Sequence, residues 1–271
     1  MKKIVRIGMI LVAILFFIPI AYTFANSFME YAQIQHEGVH FIPERFNLEQ
    51  YYTLITDKAS YFQFFLNSVK LTGIIIIGQI FIGILAAFGL SKLPSKISNI
   101  ILLFYIFVLL LPFQVTLIPN YIIFEQFERL TKLPVINTYW AIILPGIFSS
   151  FGVFLLKQFI RDIPKEYLEA AEIDGATDWK LLFNVIIPIL RPAIVSLAIL
   201  VFIDNWNLIE QALVFIKDMD KMPLSVFLEV VYKYDYKVFY GGSVLYMIPT
   251  IIIYIKGEKY LKQGLMAGGT K

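Results

Sequence analysis

The sequence predicts an all-α integral membrane protein, with six transmembrane helices and a polar helical loop on the cytoplasmic side between helices 4 and 5. Three observations lead there. Of 271 residues, 59% are hydrophobic and only 16% charged, against roughly half and a quarter in soluble domains. Mean hydropathy is +0.74. Six mostly apolar runs reach about 20 residues, the length that crosses a hydrocarbon core at about 1.5 Å per residue. Between the fourth and fifth runs the chain turns polar over "KEYLEAAEIDGATDWKLLFNVIIPILRP", from Lys165 to Pro192.

The expected spans are 7–28, 68–90, 100–123, 138–160, 193–216 and 238–255, in one transmembrane domain covering 1–271. The first follows Lys2, Lys3 and Arg6, as a signal peptide would, and Thr23-Phe24-Ala25 resembles a cleavage site. Its apolar stretch is longer than a usual signal core, so an uncleaved span is expected. In the third, "LLLPFQVTLIPNYIIF", Pro112 and Pro119 each delete a backbone hydrogen bond and invite a kink or a gate. Gln114, Thr116 and Asn120 then either satisfy the freed groups or line a passage, and ordinary helix irregularity is the alternative. In the fourth, Pro145, Gly146, Ser149 and Ser150 suit close helix contact. Tyr105 and Phe113 read as packing rather than as sugar platforms.

The fifth span, "FIDNWNLIEQALVF", places Asp204 near mid-membrane. A central Asp costs roughly 2.5–3.5 kcal/mol on insertion scales, so it faces protein or a water-filled cavity. Helical spacing puts Asp204, Asn207 and Gln211 within about 60° of one another, with Asn205 and Glu210 flanking and Trp206 opposite. Such a stripe offers hydrogen bonds to hydroxyl-bearing solutes in a translocation pathway, for which Gln114 and Asn120 are further candidates. Helix–helix hydrogen bonding that holds the bundle is the competing role.

Orientation follows from the basic residues beside the spans. With the N-terminus inside, fourteen of the 23 Lys and Arg residues fall on inner segments and nine on outer ones. Both termini are therefore expected in the cytoplasm, with 29–67 outside and 161–192 inside. The outer "NLEQYYTLITDKASYFQFF" is amphipathic and aromatic, suited to the interface. It and the loop 217–237 either receive a partner or anchor at the bilayer. No cysteine is present, which excludes disulfides and thiolate metal sites, and His36 and His40 read as loop residues with no zinc set around them.

The polar loop reads as helix, turn, helix. Leu168, Ala171 and Glu172 share a face, Gly175 suits a left-handed helix end beside Asp174, and Thr177 suits an N-cap with Asp178 in the first turn. Trp179, Leu182, Phe183 and Ile186 form one apolar stripe by spacing, before Pro188 and Pro192. Small alanines at the crown permit close approach of another protein, although a solvated loop with incidental helicity accounts for the same residues.

This stretch resembles the signature loop of permease subunits from binding-protein-dependent ABC importers. Their pattern is Glu-Ala-Ala, three residues, Gly, nine residues, Ile-x-Leu-Pro. Here stand Glu169-Ala170-Ala171, Gly175 and Val185-Ile186-Ile187-Pro188, with Val185 for Ile and Ile187 for Leu. "NLEQYYTLI", "FLNSVKLTG", "FIDNWN" and "GLMAGGTK" extend the likeness to the carbohydrate-uptake, maltose-type branch. That branch often follows Trp-Asn with bulky apolar residues, whereas Leu208-Ile209-Glu210-Gln211 is more polar. The resemblance implies that Glu169, Ala170, Ala171, Asp174 and Gly175 form a coupling helix seated on a cytoplasmic ATPase. It implies a second permease chain, two ATPase subunits and an extracytoplasmic solute-binding protein in a prokaryotic plasma (inner) membrane. The chain has no phosphate-binding G-x-x-x-x-G-K-[ST] loop. ATP and magnesium are thus expected on the ATPase subunits, with no cofactor in this chain and no nucleic-acid partner.

The function expected is half of a passage for a sugar or oligosaccharide. A peptide, amino acid or glycerol-phosphate cargo is the alternative, followed by an integral-membrane enzyme using Asp204 and Glu210 as acid and base. The enzyme reading lacks a nucleophile–base set, a metal constellation or a cofactor motif.

Overall fold

The computed structural model describes residues 2–35, 39–56, 60–234 and 236–267, and among these no strand occurs. His36, Lys58 and the last four residues of the tail lie outside the described residues. Helix α1 (Lys2–Asn26) is followed by the short α2 (Tyr31–Gln35) and α3 (Glu49–Thr56), then by the long α4 (Ser60–Lys92). Next come α5 (Ser95–Leu109), α6 (Phe113–Thr131), α7 (Trp140–Ile147) and α8 (Ser150–Arg161). The polar loop is α9 (Lys165–Ile173) and α10 (Asp178–Ile189). Helices α11 (Arg191–Trp206), α12 (Glu210–Phe215), α13 (Leu224–Tyr234) and α14 (Phe239–Ala267) complete the order.

Among the described residues, four stretches are long and apolar enough to cross a membrane: Val5–Asn26, Tyr61–Lys92, Trp140–Arg161 and Tyr236–Lys262. The number is six if each of two bent pairs is one span. In the first pair, α5 and α6 meet at 97°, so the span expected over 100–123, in which Pro112 invited a kink, is broken at Leu110–Pro112. Pro112 is the cause. It carries no N–H to continue the ladder, its ring disfavours helical geometry at Leu111, and it sits at φ −57° and ψ 132° as the residue before α6. Pro119, by contrast, is carried inside α6.

The expected span 193–216 also divides, because α11 stops at Trp206 and α12 restarts at Glu210. Asn207 ends α11 by donating its side-chain amide to Ile203 O at 2.7 Å, while Leu208 O accepts a hydrogen bond from Ser225 Oγ. The single stripe expected for Asp204, Asn207 and Gln211 is lost with that break. In the second bent pair, α10 and α11 meet at 71°.

At the centre lies α4, packed along α7, α8, α11 and α13. Its approach to α8 is close enough that a Cβ on Gly152 would lie 3.1 Å from both Cγ and Nε2 of Gln79. Helices α11 and α14 are tied at both ends. Ser196 Oγ donates to Tyr260 O at 2.7 Å, and Trp206 Nε1 donates to Tyr246 O at 3.1 Å while Tyr246 OH returns a bond to Trp206 O at 2.9 Å. Trp206, only 1% exposed, lies between the rings of Phe202 and Tyr246. Helix α1 packs on α14 and buries nothing in its most apolar window, as a lipid-facing helix would.

The segment expected to lie flat in the interface is partly inside the fold. Gln50 on α3 is buried, donates to Asn26 O at 2.8 Å and accepts from the Gly241 N–H at 2.9 Å, which ties α1, α3 and α14 together. Exposed Tyr52 and Ile55 keep the amphipathic outer face. His40 is half-buried rather than solvated, and its Nε2 has no hydrogen-bond partner.

Close packing of α11 against α14 sets one test. A Cβ on Gly257 would fall 2.1 Å from Ile199 Cδ1, whereas Gly89 has open space around it. Gly257→Leu is expected to destabilise by about 1–3 kcal/mol through overpacking, while Gly89→Leu leaves thermal unfolding of the detergent-purified protein within a degree or so of the parent.

Candidate functional site: a polar loop and a membrane cavity

Pro164 precedes α9 and Glu166 sits in its first turn, where the dipole favours an acid. The helix ends as the sequence suggests, with Gly175 at φ +74°. The Gly175 N–H reaches Glu172 O and the Ala176 N–H reaches Ala171 O, each at 3.0 Å, which is the paired hydrogen bonding of a Schellman end. Thr177 then caps α10, its Oγ1 accepting from the Lys180 N–H at 3.4 Å. Within α10, Leu182–Ile186 widens into a π turn. Pro188 removes a donor and its ring crowds the carbonyl of residue 184, and the wider turn falls where that crowding occurs.

The expected apolar stripe is split between two faces. Leu182 and Ile186 are buried with Leu181 and Leu190, but Trp179 and Phe183 face outward and stack on each other at 6.0 Å. Glu169, Ala170, Asp174 and Gly175 are exposed at the crown, and Leu168 and Ala171 pack inward. Beside them Ile173 is 86% exposed. An apolar patch of Tyr167, Ile173, Trp179 and Phe183 therefore surrounds the small residues. Sequence reasoning missed how the loop is held. Lys92, the last residue of α4, places its Nζ 2.9 Å from Asp178 Oδ1 and 3.2 Å from Glu172 Oε1. Eighty residues of chain separate the partners, and no local pattern signals the contact.

The second feature is a cavity of about 640 Å³ among α4, α5, α6, α7, α8, α11 and α12. It gathers Asp204, Asn205, Gln211 and Asn120 from the expected pathway set, with Thr116 beside them. Asn207, Glu210 and Gln114 do not line it. Asn207 accepts from Tyr246 OH at 2.8 Å, and Glu210 accepts from Gln114 Nε2 at 3.0 Å. The acid–base pair of an enzyme reading is thereby divided between the cavity wall and a separate contact. Gln79, Ser149 and Ser150 complete the polar lining; Phe113, which the sequence assigned to packing, lines the cavity too, as does Phe148. Gln79 had one signal available, a lone amide inside "IIIIGQIFIG".

Three backbone breaks converge on this cavity: Leu109 and Leu111 beside Pro112, Phe148 and Ser149 between α7 and α8, and Leu208 after α11. Non-helical backbone at membrane depth is tolerated where it is buried in protein or lines water. At one end of the molecule, Asn67 Nδ2 donates to Asp220 O and Met222 O, and its Oδ1 accepts from Tyr139 OH. Asn137, in a left-handed conformation, bonds Lys217, Asp218 and Lys221 nearby. The Lys221 ammonium, then the Asn137 amide, hold the Asp218 carboxyl below the usual range.

The family described as "Binding-protein-dependent transport system inner membrane component" matches residues 79–257, from Gln79 of the cavity through the whole polar loop. This chain belongs to that family. The permease is 28% identical over 270 residues to the arabinooligosaccharides transport system permease protein AraQ of Halalkalibacterium halodurans, covering 98% of this chain and 95% of that one. It is 31% identical over 213 residues to the probable ABC transporter permease protein YurM of Bacillus subtilis, covering 77% and 69%. The trehalose/maltose permease protein MalG of Thermococcus litoralis is 29% identical, with 98% and 95% covered. A bacterial ABC transporter that imports the acidic polysaccharide alginate contains a chain of the same fold, with TM-score 0.80, 22% identity and 96% of each chain covered. The permease is thus a multi-pass membrane protein of an importer type that works with a binding protein.

The Lys92 contact is exposed and gives a measurable expectation. Lys92→Gln is expected to cost no more than about 1 kcal/mol in thermal unfolding, the range of surface ion pairs. Lys92→Glu, which opposes two carboxylates, is expected to raise maleimide labelling of a cysteine placed at Ala176, and Asp178→Lys to lower it again.

Proposed function

We propose that the permease spans the membrane six times, with both termini in the cytoplasm, and forms half of a passage for a sugar or oligosaccharide delivered by an extracytoplasmic solute-binding protein. Each bent pair counts as one crossing in this reading. Its alternation agrees with the basic-residue bias and with the contacts at the two ends. Asn67, Asn137 and Asp218 fall on the outer side, and Lys92, Glu172 and Asp178 on the inner side. A second permease chain supplies the other half of the passage. Two ATPase subunits, which hold ATP and magnesium, supply the energy, and the permease makes no covalent change to its cargo.

The observation that carries the reading is the α9–turn–α10 crown, with exposed Glu169, Ala170, Asp174 and Gly175 ringed by exposed Tyr167, Ile173, Trp179 and Phe183. A surface of that kind is unstable in water alone and suits a protein cleft. The α9 helix acts as the coupling helix. Nucleotide binding on the ATPases shifts the passage between outward and inward access because the ATPases hold α9 differently in the two states. The cargoes named for the relatives, arabinooligosaccharides and trehalose/maltose, support a carbohydrate, as does a cavity that combines amides, hydroxyls and aromatic rings.

Gly175→Pro tests the joint. Proline cannot adopt φ +74° and removes the N–H that bonds Glu172. Uptake of labelled mono- and oligosaccharides is expected to fall to the level of cells lacking the gene, while solute capture outside and permease insertion stay normal. Normal uptake by a stably inserted variant would refute the coupling role. Cross-links from a cysteine at Ala170 in native membranes are expected to capture an ATPase subunit, and that capture is expected to fail in the Gly175→Pro protein.

A further inference from the structure

The wall of the cavity carries one formal charge, the Asp204 carboxylate, and no lysine, arginine or histidine among its described lining residues. No described residue forms an ion pair or a hydrogen bond with that carboxylate. Gln79 lines the same cavity while only 3% exposed, and its amide has no hydrogen-bond partner among the described residues. An amide buried without a partner costs about 1–3 kcal/mol. Its polar atoms are not sealed from solvent either, so the partner it needs comes from within the cavity. Asn120 and Gln211 also present amides that bond none of the described residues.

We infer that this half of the passage is built for a neutral, hydroxyl-rich cargo, and that Asp204 turns away anionic sugars such as uronate oligomers. The inference rests on the pathway reading given above. A neutral sugar both donates and accepts hydrogen bonds. Amides meet either need, and an ionised carboxylate accepts hydrogen bonds from two or more hydroxyls at once. An acidic oligosaccharide requires arginine or lysine opposite each carboxylate, and this wall offers repulsion in a setting less polar than water. The alginate importer chain has the same fold and belongs to a transporter of an acidic polysaccharide. Fold alone therefore leaves cargo charge open, and the residues of the wall decide it.

The chain has no native cysteine, so Ser149→Cys places a single thiol of this chain in the cavity wall. In the assembled importer in native membranes, two methanethiosulfonates of opposite charge are compared, the trimethylammonioethyl and the sulfonatoethyl reagents. Each rate is normalised to that reagent's rate with a free thiol. The cationic reagent is expected to be favoured at least about fivefold, the size that Coulomb's law gives in water for unit charges within about 8 Å. Asp204→Asn is expected to bring the ratio close to one, and Asp204→Glu to keep it. A ratio near one with Asp204 intact, or one that Asp204→Asn leaves unchanged, overturns the charge filter and leaves the pathway reading standing. Labelling by neither reagent, while a cysteine at Tyr52 reacts normally, removes the pathway reading and this inference together.

Discussion

In hydrocarbon, two helices gain nothing by hiding apolar surface from water, so α4 and α8 are held by how closely their backbones approach. Gly83 and Gly152 make that approach possible. A Cβ on Gly83 would lie 3.1 Å from Leu156 Cδ1 and 3.4 Å from the Gly152 carbonyl carbon. Everything polar is positioned from this contact. Helix α4 carries Asn67 to the end where Asp220 and Met222 lie, Gln79 to the cavity, and Lys92 to the polar loop. One rigid rod of 33 residues thereby touches all three regions.

The breaks in the other helices follow the same economy of peptide groups. A backbone N–H or C=O in lipid needs an internal partner. The interruptions at Leu110–Pro112, Phe148–Ser149 and Asn207–Ile209 gather where a cavity or a side chain receives them. Ser149 accepts from the Phe151 N–H, and Asn207 and Tyr246 close the end of α11. The cavity is a consequence of where these breaks meet. Its lining mixes amides, hydroxyls and one carboxylate.

The polar loop follows a different rule, since its surroundings are aqueous or proteinaceous. Its two helices are short, and isolated helices of that length are marginal in water. Their persistence depends on local devices: the Schellman end at Gly175, the Thr177 cap and inward packing of Leu168 and Ala171. The Lys92 ion pairs add little stability because they are exposed, but they fix which side of α4 the loop lies on.

Whatever depended on local chemistry was legible from the residues in order. The all-helical class, the apolar stretches, the left-handed Gly175, the Thr177 cap and the disruptive Pro112 each follow from what one residue or one window permits. The match over residues 79–257 agrees with the family suggested by Glu169-Ala170-Ala171 and Gly175. What periodicity could not reveal was where regularity stops. Asn207 and Gln211 share a stripe only if the helix continues through 207, and that is decided by distant partners, Tyr246 and Ser225. Which of Trp179 and Leu182 turns inward is likewise set by packing: Leu182 is buried and Trp179 is exposed. Gln79 beside Asp204, and Lys92 beside Asp178, are likewise products of the tertiary structure. Composition, caps and turn residues act over a few bonds and are written in the sequence itself. Contacts across eighty or more residues exist only once close helix packing has chosen which faces meet.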